Sequence, residues 1–200
     1  MRQPRQGRAP PRPRPGDITL RSVQVVRTYL ALEHPAALRP AKDVAGVTIE
    51  QLAPCPVETY RGLYHDVGAE WYWHDRLEWS DDELARHLAS PSVGLWLARA
   101  GEDVAGYFEL QRLDDGSVEI VYIGLVSTFI GRGIGGMLLT RAVREAFAMG
   151  GHRVWLHTCT LDSPRAVPSY QSRGFRAYRT ERLEVNIEGS RVVAERLLHD

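Results

Sequence analysis

Lysine occurs once in 200 residues, at Lys42, although the chain carries 25 cationic side chains. The positive charge is arginine's, and five of the arginines fall within the first 16 residues, which hold no acid, so the remainder is mildly acidic. That balance argues against a general nucleic-acid binder, whose phosphate contacts need a clustered basic face. Cysteine is scarce too. Cys55 and Cys159 stand far apart and without companion histidine spacing, which argues against a disulfide framework and a zinc site and fits a reducing compartment. No run reaches the roughly 20 apolar residues of a membrane helix, and the N-terminus lacks the apolar segment of a secretory signal. The expectation is a cytoplasmic protein with neither a membrane nor a nucleic acid as partner.

What is present reads as one globular domain with a basic leader: 44% of the residues are hydrophobic and 25% charged. Residues 1–16, with five prolines and almost nothing to bury, are expected as a disordered tail. Residues 17–44 are read as an N-terminal strand extension and 45–200 as the domain itself. The extension carries a β-branched stretch over 18–32, stopped by His34-Pro35 and Arg39-Pro40. A short strand over 47–52 and a helix over 57–68 follow. Ser80-Asp81-Asp82-Glu83 is a capping box that opens a second short helix. Strands over 93–99, 104–113 and 118–126, joined by short loops, make an antiparallel meander. The best helix spans 134–149, with Leu138, Ala142, Ala146 and Met149 on one face and Gly150-Gly151 as its stop. A strand over 153–160, a short helix ending at Arg173-Gly174 and a hairpin of 175–185 with 191–198 complete the chain.

The densest local signal is Ile130-Gly131-Arg132-Gly133-Ile134-Gly135-Gly136, four glycines at the mouth of that best helix. A glycine inside a helix costs about 1 kcal/mol against alanine. An anion offsets such a cost, because the first turn leaves N–H groups unpaired, the helix dipole adds positive potential, and absent side chains admit phosphate oxygens to the backbone. A P-loop is excluded, since no lysine follows the glycines. Gly131, Gly133 and Gly136 satisfy the dinucleotide pattern G-x-G-x-x-G, and Asp162 lies 26 residues beyond Gly136. An antiparallel meander ahead of the motif speaks against a Rossmann domain, whose first strand leads directly into the first glycine.

A strand, a loop of about five residues and then Arg132-Gly133-Ile134-Gly135-Gly136 opening a long helix resembles the acyl-CoA pyrophosphate site of the GNAT superfamily of CoA-dependent N-acetyltransferases. That family's Gln/Arg-x-x-Gly-x-Gly/Ala pattern falls on residues 130–135, with Ile130 where a polar residue is usual. Val118-Glu119-Ile120-Val121, with Gly133 14 positions after Glu119, is similar to the histone acetyltransferase branch. Residues 162–175 resemble the family's Asn-x-x-Ala-x-x-x-Tyr-x-x-x-Gly-Phe segment: Ser163 stands where Asn is usual, Pro168 is unusual, and the spacing from Tyr170 to Gly174-Phe175 is intact.

The resemblance implies an α/β (α+β) GNAT fold, a mixed and mostly antiparallel central sheet flanked by about four helices. It implies acetyl-CoA as cosubstrate, no metal, and direct attack by a primary amine without a covalent acyl-enzyme, so Cys159 is not needed as nucleophile. Such an amine has a pKa of about 10.4, so a base must remove a proton before it attacks. By the resemblance Glu119 is that base, with Glu109 and His157 as rivals. The backbone amides of Ile123, Gly124 and Leu125 hold the acetyl thioester, the last meeting the developing oxyanion. Ile130, Gly131, Arg132, Gly133, Ile134, Gly135, Gly136 and Ser163 hold CoA, and Tyr170 protonates the departing thiolate. Trp71, Trp73, His74 and His157 are candidates for the acceptor pocket, with core packing as the other role open to the tryptophans. A non-catalytic acyl-CoA sensor and a dinucleotide-binding protein remain as alternatives, and a homodimer is left open.

Overall fold

The computed structural model describes residues 20–188 and 191–198. The tail expected over 1–16, the start of the strand expected from residue 18, and the turn residues Gly189 and Ser190 of the last hairpin lie outside the described residues.

Among the described residues one sheet holds β1 (Leu20–Leu32), β2 (Val47–Gln51), β3 (Val93–Ala100), β4 (Asp103–Arg112), β5 (Val118–Leu125), β6 (Val154–Cys159), β7 (Arg176–Glu188) and β8 (Arg191–Leu197). Four α-helices flank it: α1 (Val57–Gly68), α2 (Asp81–Leu88), α3 (Ile134–Ala148) and α4 (Ala166–Ser172). The order across the sheet is β2-β3-β4-β5-β6-β1-β7-β8. All neighbours are antiparallel except β5 and β6. The mixed, mostly antiparallel sheet with four helices is thus the architecture the sequence implied. No helix among the described residues is long and apolar enough to cross a membrane.

Local chemistry explains the elements. At the start of α2 the Ser80 hydroxyl accepts from the Glu83 N–H, and the Glu83 carboxylate accepts from the Ser80 N–H at 2.8 Å, so two orphan amides are satisfied at once. Along α3, Leu138, Ala142 and Ala146 recur every four residues and are fully buried against the sheet. Pro168 falls in the first turn of α4, where the N–H it lacks would have no partner inside the helix, so the helix forms around it.

Strand β1 lies in the interior of the sheet, between β6 and β7, rather than at an edge. Its Val25, Leu30, Ala31 and Leu32 are buried. Within the segment read from sequence as an extension ahead of the domain, residues 20–32 therefore form a strand paired on both sides, with β6 and β7.

The two faces of the sheet hold separate cores. On one, α3 covers Leu30, Leu32, Phe108, Val118, Ile120 and Leu156; on the other, α1 and α2 cover Leu95, Leu97, Tyr107 and Tyr122. Strict alternation would put Ile120 and Tyr122 on the same face. A β-bulge prevents it: Glu109 pairs with Tyr122 and Leu110 with Ile120, leaving Val121 as an extra residue. Glu119 and Val121 thereby share the α1/α2 face with Tyr122.

Candidate active site

Strands β5 and β6 pair only at Val118 with Val154 and at Glu119 with Trp155, and then part. Beyond that point the cleft between them opens into a cavity of about 390 Å³. Its β5 wall is formed by residues 120–125, its β6 wall by Leu156, His157 and Cys159, and its far end by Ser163, Ser169 and Tyr170.

Along the β5 wall the backbone is half free. The Val126 N–H donates to the Ala105 carbonyl at 3.0 Å, and the Gly124 carbonyl lies over Gly106. Peptide groups alternate in direction along a strand, so those of Ile123 and Leu125 face the cleft while that of Gly124 faces β4. Of the three amides expected to meet a thioester, two are therefore turned the right way. Gly124 has a packing role instead: a Cβ there would lie 2.3 Å from the Val67 side chain.

The glycine loop divides its labour as well. Gly131 and Gly133 hold φ of +86° and +83°, the left-handed region that side chains disfavour, and so turn the chain into α3. Gly133 is the N-cap; no side chain caps the helix, and its first turn carries no acid. The leading amides of α3 are left without side-chain partners at the cavity's edge, where Ile130, Gly131 and Gly135 form part of the wall. Gly136 has another reason to be small. A Cβ there would come within 3.1 Å of the Ala41 Cβ, where the Ala41 N–H donates to the Thr140 hydroxyl at 2.9 Å and that hydroxyl donates to the Gly136 carbonyl at 2.8 Å. Ile134 is a core side chain, 2% exposed, so only its backbone is available. Arg132 rests its guanidinium 5.1 Å from the centre of the Phe129 ring. Ile130 is exposed.

Glu119 is the last β5 residue paired with β6 before the strands separate, one position before the cavity wall begins at Ile120. The Glu119 side chain is 17% exposed, and His157 Nε2 lies 3.9 Å from the carboxylate. Burial pushes its pKa from 4.5 up to about 7; the Arg76 guanidinium pulls it down and the Glu109 carboxylate pushes it further up. His157 projects into the cavity from the opposite strand, 41% exposed. Desolvation, followed by the nearby Arg27 guanidinium, holds its imidazole below the usual value.

Glu109, the rival carboxylate, is placed differently. It is fully buried and accepts hydrogen bonds from Tyr60 Oη at 2.5 Å and Arg76 Nη2 at 3.2 Å, with His87 Nε2 at 2.8 Å. Burial opposes its ionisation, but the His87 contact, the Arg76 charge and the Tyr60 hydroxyl outweigh it and hold the carboxyl below the usual range. Neither Glu109 nor Glu119 forms part of the cavity wall, but Glu119 adjoins Ile120, which does.

Tyr170 reaches the cavity from α4, braced by Phe175 at 6.1 Å between ring centres. Its hydroxyl has no hydrogen-bond partner among the described residues. Burial, with the Asp162 carboxylate second, raises its pKa well above that of a free tyrosine. Ser163 forms the same end of the cavity. The segment between α1 and α2 crosses the cavity mouth with Trp71, Tyr72, Trp73, His74 and Asp75. Trp73 is as much core as wall: its indole packs against Tyr64, Tyr107 and Tyr122, and a Cβ at Gly68 would lie 2.5 Å from it. His74 Nε2 lies 3.2 Å from Asp75 Oδ1, and Tyr122 Oη donates to Asp75 Oδ2 at 3.2 Å. Sequence reasoning missed Asp75 and also Arg27, which β1 brings to the wall; no local pattern marks either. No cluster of three or more metal-ligating side chains occurs among the described residues.

The site is a cleft opened by two parting parallel strands, with a bare glycine turn at one end and a part-buried carboxylate where the strands part. The chain belongs to the acetyltransferase (GNAT) family, whose family model matches residues 60–175. It is 29% identical over 160 residues to a mycothiol acetyltransferase of Corynebacterium glutamicum, a match that covers 72% of this chain and 51% of that protein. Indeed the chain spans about half the length of the mycothiol acetyltransferases it matches. Among solved structures it is similar to a GCN5-related N-acetyltransferase from Sphaerobacter thermophilus, with a TM-score of 0.63 at 17% identity, covering 86% of this chain and 56% of that one. It is also similar to a spermidine N-acetyltransferase of Vibrio cholerae in complex with CoA and spermine, with a TM-score of 0.56 at 22% identity, covering 68% of this chain and 84% of that one. The fold is the GNAT fold.

Proposed function

We propose that the chain is an N-acetyltransferase that carries the acetyl group of acetyl-CoA to a primary amine by direct attack within a ternary complex. The observation that supports this most is the cleft itself, with Glu119 just before the point where its strands part, cleft-facing amides at Ile123 and Leu125, and no side-chain cap on the leading amides of α3. The residues fit the group the family uses. Gly131 has open space where a Cβ would project and Gly133 nearly so, its closest neighbour being Val44 at 3.7 Å, so the backbone presents bare N–H groups to a diphosphate.

Acetyl-CoA supplies an activated thioester carbonyl; the remaining work falls to the chain. Glu119, with a pKa of about 7, is ionised in a substantial fraction of molecules at neutral pH and basic enough to take a proton from an ammonium. His157, kept neutral, stands beside it on the path from the cavity. The Leu125 N–H donates toward the position where negative charge develops, already oriented by the sheet. The Tyr170 hydroxyl, without a hydrogen-bond partner among the described residues and held in its protonated form by burial, gives a proton to the departing sulfur.

Release of CoA, followed with a thiol reagent across an amine panel that includes spermidine, tests the proposal. Turnover that falls by at least tenfold in both Glu119→Gln and Tyr170→Phe is expected. Heat of binding with acetyl-CoA and no turnover with any amine would make the chain a sensor, and binding of NAD in preference to acetyl-CoA would defeat the reading altogether.

A further inference from the structure

Arg76 and Glu109 are the buried charged side chains among the described residues, and neither belongs to the cavity wall. A buried ion pair contributes little net stability compared with apolar residues of the same volume, so a pair like this calls for a role in selecting one arrangement over others. Its position supplies that role. Glu109 sits on β4, in the rigid sheet, and is held by Tyr60 of α1 and His87 of α2. Arg76 sits in the segment between α1 and α2, next in sequence to Asp75 at the cavity mouth. Its guanidinium lies 4.0 Å from the centre of the Trp79 ring and 5.3 Å from that of Tyr122. Its backbone is gripped too: the N–H donates to Tyr64 Oη at 3.4 Å, and the carbonyl accepts from Arg61 at 3.5 Å. The segment it anchors has little regular structure of its own, two short 3-10 turns and a left-handed Tyr72 with φ of 60°.

We propose that Arg76, clamped by Glu109, is the positioning residue of this site: it fixes residues 69–80 against the sheet and so sets where Trp73, His74 and Asp75 meet the acceptor amine. The inference rests on the reading of the cleft as an acetyltransferase site. The closest neighbours of the glycine turn are Val44, Leu125 and Ala41 rather than any residue of 69–80, so Arg76 governs acceptor recognition more than the grip on the CoA diphosphate. A residue that served stability only would affect both.

The test compares the full chain with the double variant Arg76→Met/Glu109→Gln, which removes both charges and leaves neither buried alone, and with Arg76→Lys, which keeps the cation. In the double variant the acceptor KM is expected to rise tenfold or more while the acetyl-CoA KM stays within twofold, with Arg76→Lys falling between it and the parent. Amide hydrogen exchange in residues 69–80 is expected to speed up at least tenfold, with β4 and β5 unchanged. Exchange in 69–80 that stays at the parent rate in a folded double variant, or a loss of acceptor and acetyl-CoA binding in equal measure, overturns the proposal. If the double variant fails to fold, Arg76→Lys decides by the same two readouts. A parent protein without transferase activity would sink the functional reading and with it the acceptor role, while the exchange measurement would still decide whether the Arg76–Glu109 pair fixes residues 69–80.

Discussion

Replacing Glu119 by glutamine removes a carboxyl that the fold keeps largely dry while preserving its shape. Burial raises the folded-state pKa from 4.5 to about 7. At about 1.4 kcal/mol per pH unit, the ionised form is disfavoured in the folded state by roughly 3 kcal/mol. The sign follows from which state holds the proton. Below pH 4.5 the group is protonated whether or not the chain is folded, and it adds no pH dependence. Between 4.5 and 7 the unfolded chain releases the proton and the folded one keeps it, so the parent loses stability as pH rises; above 7 both forms are ionised and the loss is complete. Glutamine never ionises. The variant is therefore expected to match the parent near pH 4 and to exceed it by up to about 3 kcal/mol at pH 8. Urea unfolding of both proteins at several pH values between 4 and 8 measures this without any knowledge of the acceptor. In parallel, the acidic limb of the parent's kcat/KM profile should centre near 7 and be absent from whatever activity the variant retains. A stability difference that does not change with pH, or stays under about 1 kcal/mol at pH 8, would show that Glu119 is well solvated and would remove the reason for casting it as the base.

Three further outcomes follow from the geometry. Tyr170→Phe should lower kcat by tenfold or more with the acetyl-CoA KM nearly unchanged, since only the hydroxyl is lost; steady-state kinetics with saturating amine checks it. Gly174→Ala should destabilise the fold by about 3 kcal/mol or prevent folding, because φ is +105° and the new Cβ would lie 2.1 Å from the Ala37 carbonyl oxygen; thermal unfolding reports it. Ser80→Ala should cost about 1 kcal/mol through loss of the α2 capping box, with kcat within twofold of the parent, as read by urea unfolding and the CoA-release assay.

Much of this protein was legible because its signals are local. Period-two and period-3.6 patterns, the Ser80 capping box, the stop at Gly150 and the breaks at proline each act within a few residues, and the elements they mark are where those patterns put them. Glycine positions were legible as well, but their reasons were mixed. Gly131 and Gly133 are turn residues at the cavity, whereas Gly136 is small because Ala41 packs on it, a contact between residues 95 positions apart that no motif reveals.

Tertiary structure decided the rest. That β1 runs between β6 and β7 depends on pairings such as Arg27 with Cys159 and with Glu181, which join the start of the chain to its last third. Glu109 and Glu119 are both glutamates on neighbouring strands with apolar flanks, and apart from the resemblance of Val118-Glu119-Ile120-Val121 to a family motif, nothing in either stretch separates them. One became a locked structural anion because Tyr60, Arg76 and His87 arrive from other elements to satisfy it; the other stands where two strands part, with no partner close enough to offset its burial. Short-range sterics and hydrogen bonding select helix, strand and turn from the sequence alone, but the energy of a charge depends on everything that the completed fold brings near it.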